Sequence, residues 1–168
     1  MIRSRHETRR AARGLTLIEL MVVVAIMALL GGIATPLYLD SVRKGRRADG
    51  IAALNQLMLM QERYRANQPQ YATHLVLSGG TLVGVGAADD AGAVASVATP
   101  GAGHYLLSVV SADASSYALR ATGQAGQASD GACVVLQVSV TGGTIVHASG
   151  ATAALGNAAA VNNTCWRF

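Results

Sequence analysis

The sequence has little of what catalytic or ligand-handling chains usually display. Of its 168 residues, 13% are charged and 4% aromatic, with a single Trp and a single Phe. It has no CxxC pair and no group of Cys and His at metal-ligand spacing, so neither a zinc site nor a redox pair is read. The glycines around Gly84 and Gly86 form no GxGxxG and follow no strand–turn–helix pattern, which removes a nucleotide site. Asp89 and Asp90 are adjacent acids and fall short of the ligand set of a Ca²⁺ loop. His74, His104 and His147 stand apart from one another, and no Ser/His/Asp or Cys/His set has recognisable local context. The chain is therefore read as non-enzymatic, with no cofactor and no metal.

Basic charge is also scarce where a nucleic-acid partner would need it. The formal charge is +4, but Arg3, Arg5, Arg9, Arg10 and Arg13 lie in the first 14 residues beside one acid, Glu7. Without that segment, 13 basic residues become 8 and 9 acidic residues become 8, so the remainder is formally neutral. Past Arg65 only Arg120 and Arg167 are basic. A phosphate-binding face carries a basic stripe, so the sequence argues against a nucleic-acid partner. The basic run outside the first segment is Arg43, Lys44, Arg46 and Arg47.

What the chain does have is a long apolar run, LTLIELMVVVAIMALLGGIATPLYL, from Leu15 to Leu39. It is long enough to span a hydrocarbon layer of about 30 Å at about 1.5 Å per residue. Its one charge is Glu19, and a carboxylate at the centre of a spanning helix costs about 2.5 to 3.5 kcal/mol. A secretory signal has its cleavage site after a short apolar region. Here the candidate cut, Gly14–Leu15, precedes the run, so cleavage removes the charges and keeps the helix. A plain signal anchor is the alternative, and it leaves Glu19 without a purpose.

Beyond Pro36 a 3.6-residue period continues through Ile51, Leu54, Leu57, Met58 and Tyr64, with Arg47, Asn55, Glu62 and Arg65 mostly on other faces. The pattern predicts one helix from Leu15 to about Ala66, about 75 to 80 Å long if continuous, stopped at Asn67-Gln68-Pro69. Gly79 to Gly103 is rich in Gly and Ala and is expected to be a long variable loop. Strand-like runs follow at Tyr105–Val110, Tyr117–Thr122, Cys133–Val140 and Thr144–His147, with Gly142-Gly143 as a two-residue hairpin turn. Four short, locally joined strands predict an antiparallel meander. The tail from Ser149 to Phe168 is too poor in apolar area to order itself. Cys133 and Cys165 would tie it down if bridged, as two cysteines in an exported chain most simply are; two unpaired buried thiols are the other reading. Trp166 is expected to anchor that tail by packing.

The segment Gly14-Leu15-Thr16-Leu17-Ile18-Glu19, followed by an uninterrupted apolar stretch, resembles the class III signal of type IV prepilins. This chain has Leu15 where that family usually has Phe, and Pro36 falls where many pilins carry a helix-breaking Pro. The resemblance implies an α+β type IV pilin fold: a long N-terminal helix packed on a small antiparallel β-sheet, with a C-terminal disulfide-bounded loop, the D-region, between Cys133 and Cys165. It implies cleavage after Gly14 by a prepilin peptidase and N-methylation of Leu15. It makes Glu19 the assembly residue and Gly31, Gly32 and Pro36 a weak stretch of helix. The expected parts are a leader over 1–14, a transmembrane and filament-core helix over 15–39, an amphipathic helix half over 40–66 and a globular head over 67–168. The partners implied are other pilin subunits, major and minor, the peptidase and the inner-membrane assembly machinery. The location implied is the bacterial inner membrane, head periplasmic, and afterwards an extracellular pilus. The run Arg47-Ala48-Asp49, Gln61-Glu62-Arg63-Tyr64, Tyr71-Ala72 and a terminal Cys-Trp pair resemble minor pilins that form or decorate the pilus. A type II secretion pseudopilin and a DNA-uptake pilin share the N-terminal logic and are the alternatives.

Overall fold

The computed structural model describes residues 16–100, 103–156 and 164–166. Gly14 and Leu15, and with them the proposed leader and cleavage site, lie outside the described residues, as do Arg167 and Phe168. The described chain opens with one helix, α1 (Leu17–Arg65), of 49 residues with Pro36 inside it. By its internal contacts the chain divides into two units, one up to Leu39 and one from Asp40 onward.

In the first unit α1 is apolar and uncovered. Leu17 is 77% exposed and Leu30 61%, and this stretch is long and apolar enough to cross a membrane by length and composition. The helix runs through Gly31, Gly32 and Pro36 without a break in the single subunit. Pro36 has no N–H to give the carbonyl of Gly32. One turn away, the Thr35 hydroxyl donates to the carbonyl of Gly31 at 2.7 Å.

In the second unit the helix residues Leu54 and Leu57 are fully buried, and Ala53 nearly so, against two antiparallel sheets. The smaller sheet has β1 (His74–Ser78), β2 (Thr81–Gly86) and β3 (Ala93–Val94) in the order β2-β1-β3. The larger has β4 (Ser96–Ala98), β5 (Tyr105–Ala112), β6 (Ser116–Gly123), β7 (Val135–Thr141) and β8 (Thr144–Gly150) in sequence order. Leu107, Leu119, Leu136 and Val138 are fully buried and join Leu54, Leu57 and Leu75 in one core. Tyr105 packs against Gly50 of α1, where an added Cβ would sit 3.0 Å from the ring. Glycine there lets helix and sheet approach closely.

The four strand-like runs of the sequence correspond to β5 to β8, while the loop expected over Gly79–Gly103 is corrected. It contains β2, β3 and β4. Gly79 and Gly80 both take positive φ, 57° and 80°, and turn β1 into β2 with Ser78 paired to Thr81. Gly142 and Gly143, at 55° and 82°, make the same turn between β7 and β8. Positive φ at both central residues gives a hairpin turn matched to the strand twist. The head therefore has two sheets, not one four-stranded meander.

Candidate assembly helix and head anchors

Glu19 sits in the first turn of α1. The Thr16 hydroxyl accepts a hydrogen bond from the Glu19 backbone N–H at 3.3 Å, and the Thr16 carbonyl accepts from Leu20 N–H at 3.2 Å. Thr16 and Glu19 thus stand at the spacing of a capping box, in which the first side chain satisfies the backbone of the fourth residue. Among the described residues the Glu19 carboxylate has no ion-pair partner. It is exposed on an otherwise apolar helical surface.

Three polar clusters fix the second half of α1 to the sheets. Arg47 forms a two-pronged pair with Asp130: Nε donates to Oδ2 at 2.6 Å and Nη2 to Oδ1 at 2.7 Å. Both side chains are buried. The sequence placed Arg47 on a polar face of the helix, and the structure corrects this: its charge is buried because Asp130 neutralises it. Gln127, fully buried, donates from Nε2 to Asp130 at 2.6 Å, to the Tyr105 hydroxyl at 3.0 Å and to the Arg43 carbonyl at 3.3 Å. Burial first, and then the Asp130 charge, pushes the Tyr105 hydroxyl up to about 12.

At the second anchor, Gln61 is also fully buried and pairs with the backbone of Ala72 on both sides of its amide. Its Nε2 donates to the Ala72 carbonyl at 2.8 Å, and its Oε1 accepts from the Ala72 N–H at 2.9 Å. This fastens the chain after the helix to the helix itself. At the third, Glu62 accepts from the Tyr117 hydroxyl at 3.0 Å and, more weakly, from Tyr71 at 3.4 Å. The Tyr71 and Tyr117 rings are 4.6 Å apart. Burial, then the hydrogen bond to Glu62, raises the Tyr117 hydroxyl well above its usual range.

Cys133 and Cys165 are bridged, with Cα atoms 5.4 Å apart. Trp166 donates from Nε1 to the Ala148 carbonyl at 3.1 Å, and its ring lies 4.6 Å from that of His147. The described end of the tail is thereby held on β8.

The basic run past the apolar segment is partly spent. Arg47 is engaged by Asp130, and Lys44 pairs with Asp40 at 2.7 Å on the surface. Arg120 gives both its prongs to the Gln137 side-chain carbonyl, at 3.0 and 2.7 Å. The sequence did not single out Gln127 or Asp130, and it read Gln61 only as part of the Gln61-Glu62-Arg63-Tyr64 run, with no buried role. Their partners lie on other elements, and no local pattern marks such a residue.

A family model described as type IV minor pilin ComP, DNA uptake sequence receptor, matches residues 36–137, more than half of the chain. The chain belongs to the type IV minor pilin ComP family. A second family model, the prokaryotic N-terminal methylation motif, matches residues 9–35 of the pilin. The type IV wide pilus major component PilA4 of Thermus thermophilus is 34% identical over 65 residues, which cover 39% of this pilin and 50% of that protein. The pilin thus spans about half the length of that curated relative. No solved structure matches it. A long N-terminal helix, antiparallel sheets and a C-terminal disulfide make up the type IV pilin fold.

Proposed function

We propose that this minor pilin is held in the inner membrane by residues 15–39 with its head in the periplasm, and then enters the pilus through that same helix. Residues 1–14 act as a leader on the cytoplasmic side. Prepilin peptidase cuts between Gly14 and Leu15, glycine leaving no side chain to obstruct the backbone at the site, and Leu15 is N-methylated. Residues 40–66 carry the head, 67–168, outward. The partners are other pilin subunits and the inner-membrane assembly machinery, and the pilus serves biogenesis, twitching motility or adhesion.

The observation that carries this reading is the surface of α1 before Asp40. It is a wholly apolar helical face, uncovered in the single chain and interrupted by one carboxylate, Glu19. Such a surface is buried either by lipid or by other helices. The test is mass spectrometry of the protein recovered from sheared pili. A start at N-methylated Leu15 is the expected result; an intact leader in filaments, or a start further along, would refute it. A clean deletion scored for pili and for protein secretion separates the pseudopilin alternative, which predicts lost secretion with normal pili.

DNA capture on the same scaffold is a second reading, favoured by the family's description as a DNA uptake sequence receptor. The charge distribution sets against it. With Arg47 buried, Lys44 paired and Arg120 on Gln137, the surface from Asp40 onward offers Arg43, Arg46, Arg63 and Arg65 as further arginines among the described residues. A receptor that neutralises Z phosphates loses affinity with a log–log salt slope of about −0.9Z. Titrating the full-length protein in detergent with duplex DNA at two salt concentrations decides. Tight, salt-sensitive binding establishes the receptor reading, and no binding at low salt ends it.

A further inference from the structure

Of the four basic residues that follow the apolar run, two are accounted for within the fold. Arg47 is neutralised by Asp130 in the head, and Lys44 pairs with Asp40 one helical turn earlier. Arg43 and Arg46 are not accounted for. Among the described residues neither guanidinium makes an ion pair or a hydrogen bond, and Asp49, on the turn after Arg46, is outside ion-pair distance. Both lie on the face of α1 that turns to the head. At about 100° per residue, Arg43 falls in line with Gly50, Leu54 and Gln61, and Arg46 with Ala53 and Leu57, all of them buried. Gln127 Nε2 donates to the Arg43 carbonyl at 3.3 Å, and a Cβ added to Gly126 would lie 3.4 Å from Arg46 Nη1. The two side chains are nevertheless only half-buried. They form the base of the head, at its end nearest in the chain to the apolar run.

Chain spacing says what meets them there. Leu39 closes the apolar run, and Arg43 and Arg46 follow one and two helical turns later, about 6 and 10 Å along a continuous helix. The headgroup layer outside the hydrocarbon is about 5 to 8 Å deep on each side. A long basic side chain can lay its stem along apolar surface and place its charged end in that layer. Tyr38, exposed at the end of the run, is of the aromatic type that gathers at the same boundary. In the orientation proposed above, the two arginines stand on the periplasmic side, against the rule that basic residues collect on the cytoplasmic side. A headgroup phosphate supplies the counter-charge that the fold does not.

We propose that Arg43 and Arg46 bind the headgroup phosphate of an anionic phospholipid while the subunit stands in the membrane. Residues three apart on a helix are neighbours, so both guanidinium groups reach one phosphate, and each can give it two parallel N–H donors. The lipid then neutralises the two charges that have no partner in the fold, and it fixes the depth at which α1 stands in the layer. The inference rests on the membrane reading above and adds a ligand to it.

The test is native mass spectrometry of the full-length protein in detergent, titrated with phosphatidylglycerol and, separately, with phosphatidylcholine. Phosphatidylglycerol should bind more tightly. Arg43→Gln and Arg46→Gln should each weaken it about fivefold, and the double variant about 25-fold, from the usual contribution of one basic residue at an anionic surface. Arg63→Gln, which removes the same charge further along α1, should leave it unchanged. The arginines of residues 1–14 are common to all these proteins and cancel in the comparison. Arg43→Lys with Arg46→Lys keeps both charges and should keep the preference for the anionic lipid, which separates lost charge from a disturbed fold. Equal binding of the two lipids, or an equal loss with Arg63→Gln, would overturn the proposal. So would displacement of the lipid by millimolar inorganic phosphate, which would mark a site for free anions. A wild-type chain that alkaline carbonate extracts from cell membranes would instead bring down the membrane reading, and this inference with it.

Discussion

Arg47 and Asp130 lie 83 residues apart in sequence and meet in a buried, two-pronged ion pair, with both nitrogen–oxygen distances under 2.8 Å. The pair joins α1 to the short helical turns between β6 and β7, where Asp130 precedes the turn Gly131–Cys133. Removing one partner strands the other's charge, which costs about 3 to 5 kcal/mol at a buried site. Asp130→Ala should therefore lower the denaturation midpoint of the full-length protein in detergent strongly. Replacing both residues together, Arg47→Met with Asp130→Leu, should restore much of the loss, because no charge is left unpaired. Equal destabilisation by the single and double changes would show that the pair itself, and not the stranded charge, carries the cost.

The same cluster gives the head an alkaline limit. Tyr105 faces Gln127, Asp130 and Arg47, with Asp49 also contributing, and its hydroxyl is raised from 10.0 to about 12. Folding favours the neutral phenol. Its contribution to stability is fully present below pH 10 and lost as pH rises through about 12. Tyr117, raised for the same reason of burial and by Glu62, adds in the same direction. Thermal midpoints should be flat to about pH 10 and fall beyond it, with ultraviolet detection of tyrosinate tracking the unfolding. A midpoint already falling between pH 8 and 9 would contradict this account.

At the acid end, Asp113 is the group to watch. The Ser116 hydroxyl, then the backbone N–H groups of Ser115 and Ser116, hold its carboxyl down from 3.8 to about 2. Oδ1 accepts from both N–H groups, at 2.6 and 2.7 Å, and closes the turn from β5 to β6. A depressed carboxylate stabilises the fold above its unfolded pKa, and the effect disappears as pH falls from about 4 through about 2. Asp113→Asn should shrink the loss of stability over that interval, measured by melts at pH 5, 4, 3 and 2.

The disulfide closes a span of 32 residues. In the chain-entropy view a loop of that size contributes about 3 to 4 kcal/mol. Cys133→Ser with Cys165→Ser should lower stability by about that amount and loosen the end of the tail at Trp166, whose indole then keeps the hydrogen bond to Ala148 and the contact with the His147 ring. Limited proteolysis should cut the tail of the variant well before the sheets. Identical digestion of the two proteins would rule out a structural role for the bridge.

These anchors also mark where sequence reasoning reached and where it stopped. The second half of α1 was legible because Leu54 and Leu57 repeat at helical spacing and bury fully. Strands β5 to β8 were legible because β-branched runs sit between turn signals. The smaller sheet was missed although Gly79-Gly80 is the same two-residue signal as Gly142-Gly143. The Ala- and Gly-rich stretch after it hides two very short strands, β3 and β4, which gain order from pairing and not from their own composition. Arg47 was misplaced for a different reason. It belongs to a basic run, and only a partner 83 residues away makes burying it tolerable. Gly14 and Leu15 lie outside the described residues, and the roles proposed for them and for Glu19 concern processing and assembly, which one folded chain does not display.

Glu19 poses the sharpest choice between a local and an intermolecular purpose. At N3 of α1 its backbone N–H is capped by the Thr16 hydroxyl, and its carboxylate, as an acid at a helix N-terminus, is favoured by the helix dipole by about 0.3 to 1 kcal/mol. That local benefit needs no filament. Yet the carboxylate lies on a surface otherwise wholly apolar, where burial among other helices without a partner would be costly. After cleavage Leu15 would offer a positively charged amine one helical turn away. Pairing Glu19 of one subunit with the Leu15 amine of its neighbour removes the cost of burying both charges. It also fixes axial register, because a slipped subunit leaves both unmatched. Glu19→Ala and Thr16→Ala separate the two purposes. If capping is the whole role, both variants weaken the helix start slightly and both enter pili at near-normal levels. If assembly is the role, Glu19→Ala is inserted and cleaved normally but is lost from sheared pili, whereas Thr16→Ala still assembles. Immunoblots of the pilus and membrane fractions decide, and normal incorporation of Glu19→Ala would end the assembly role.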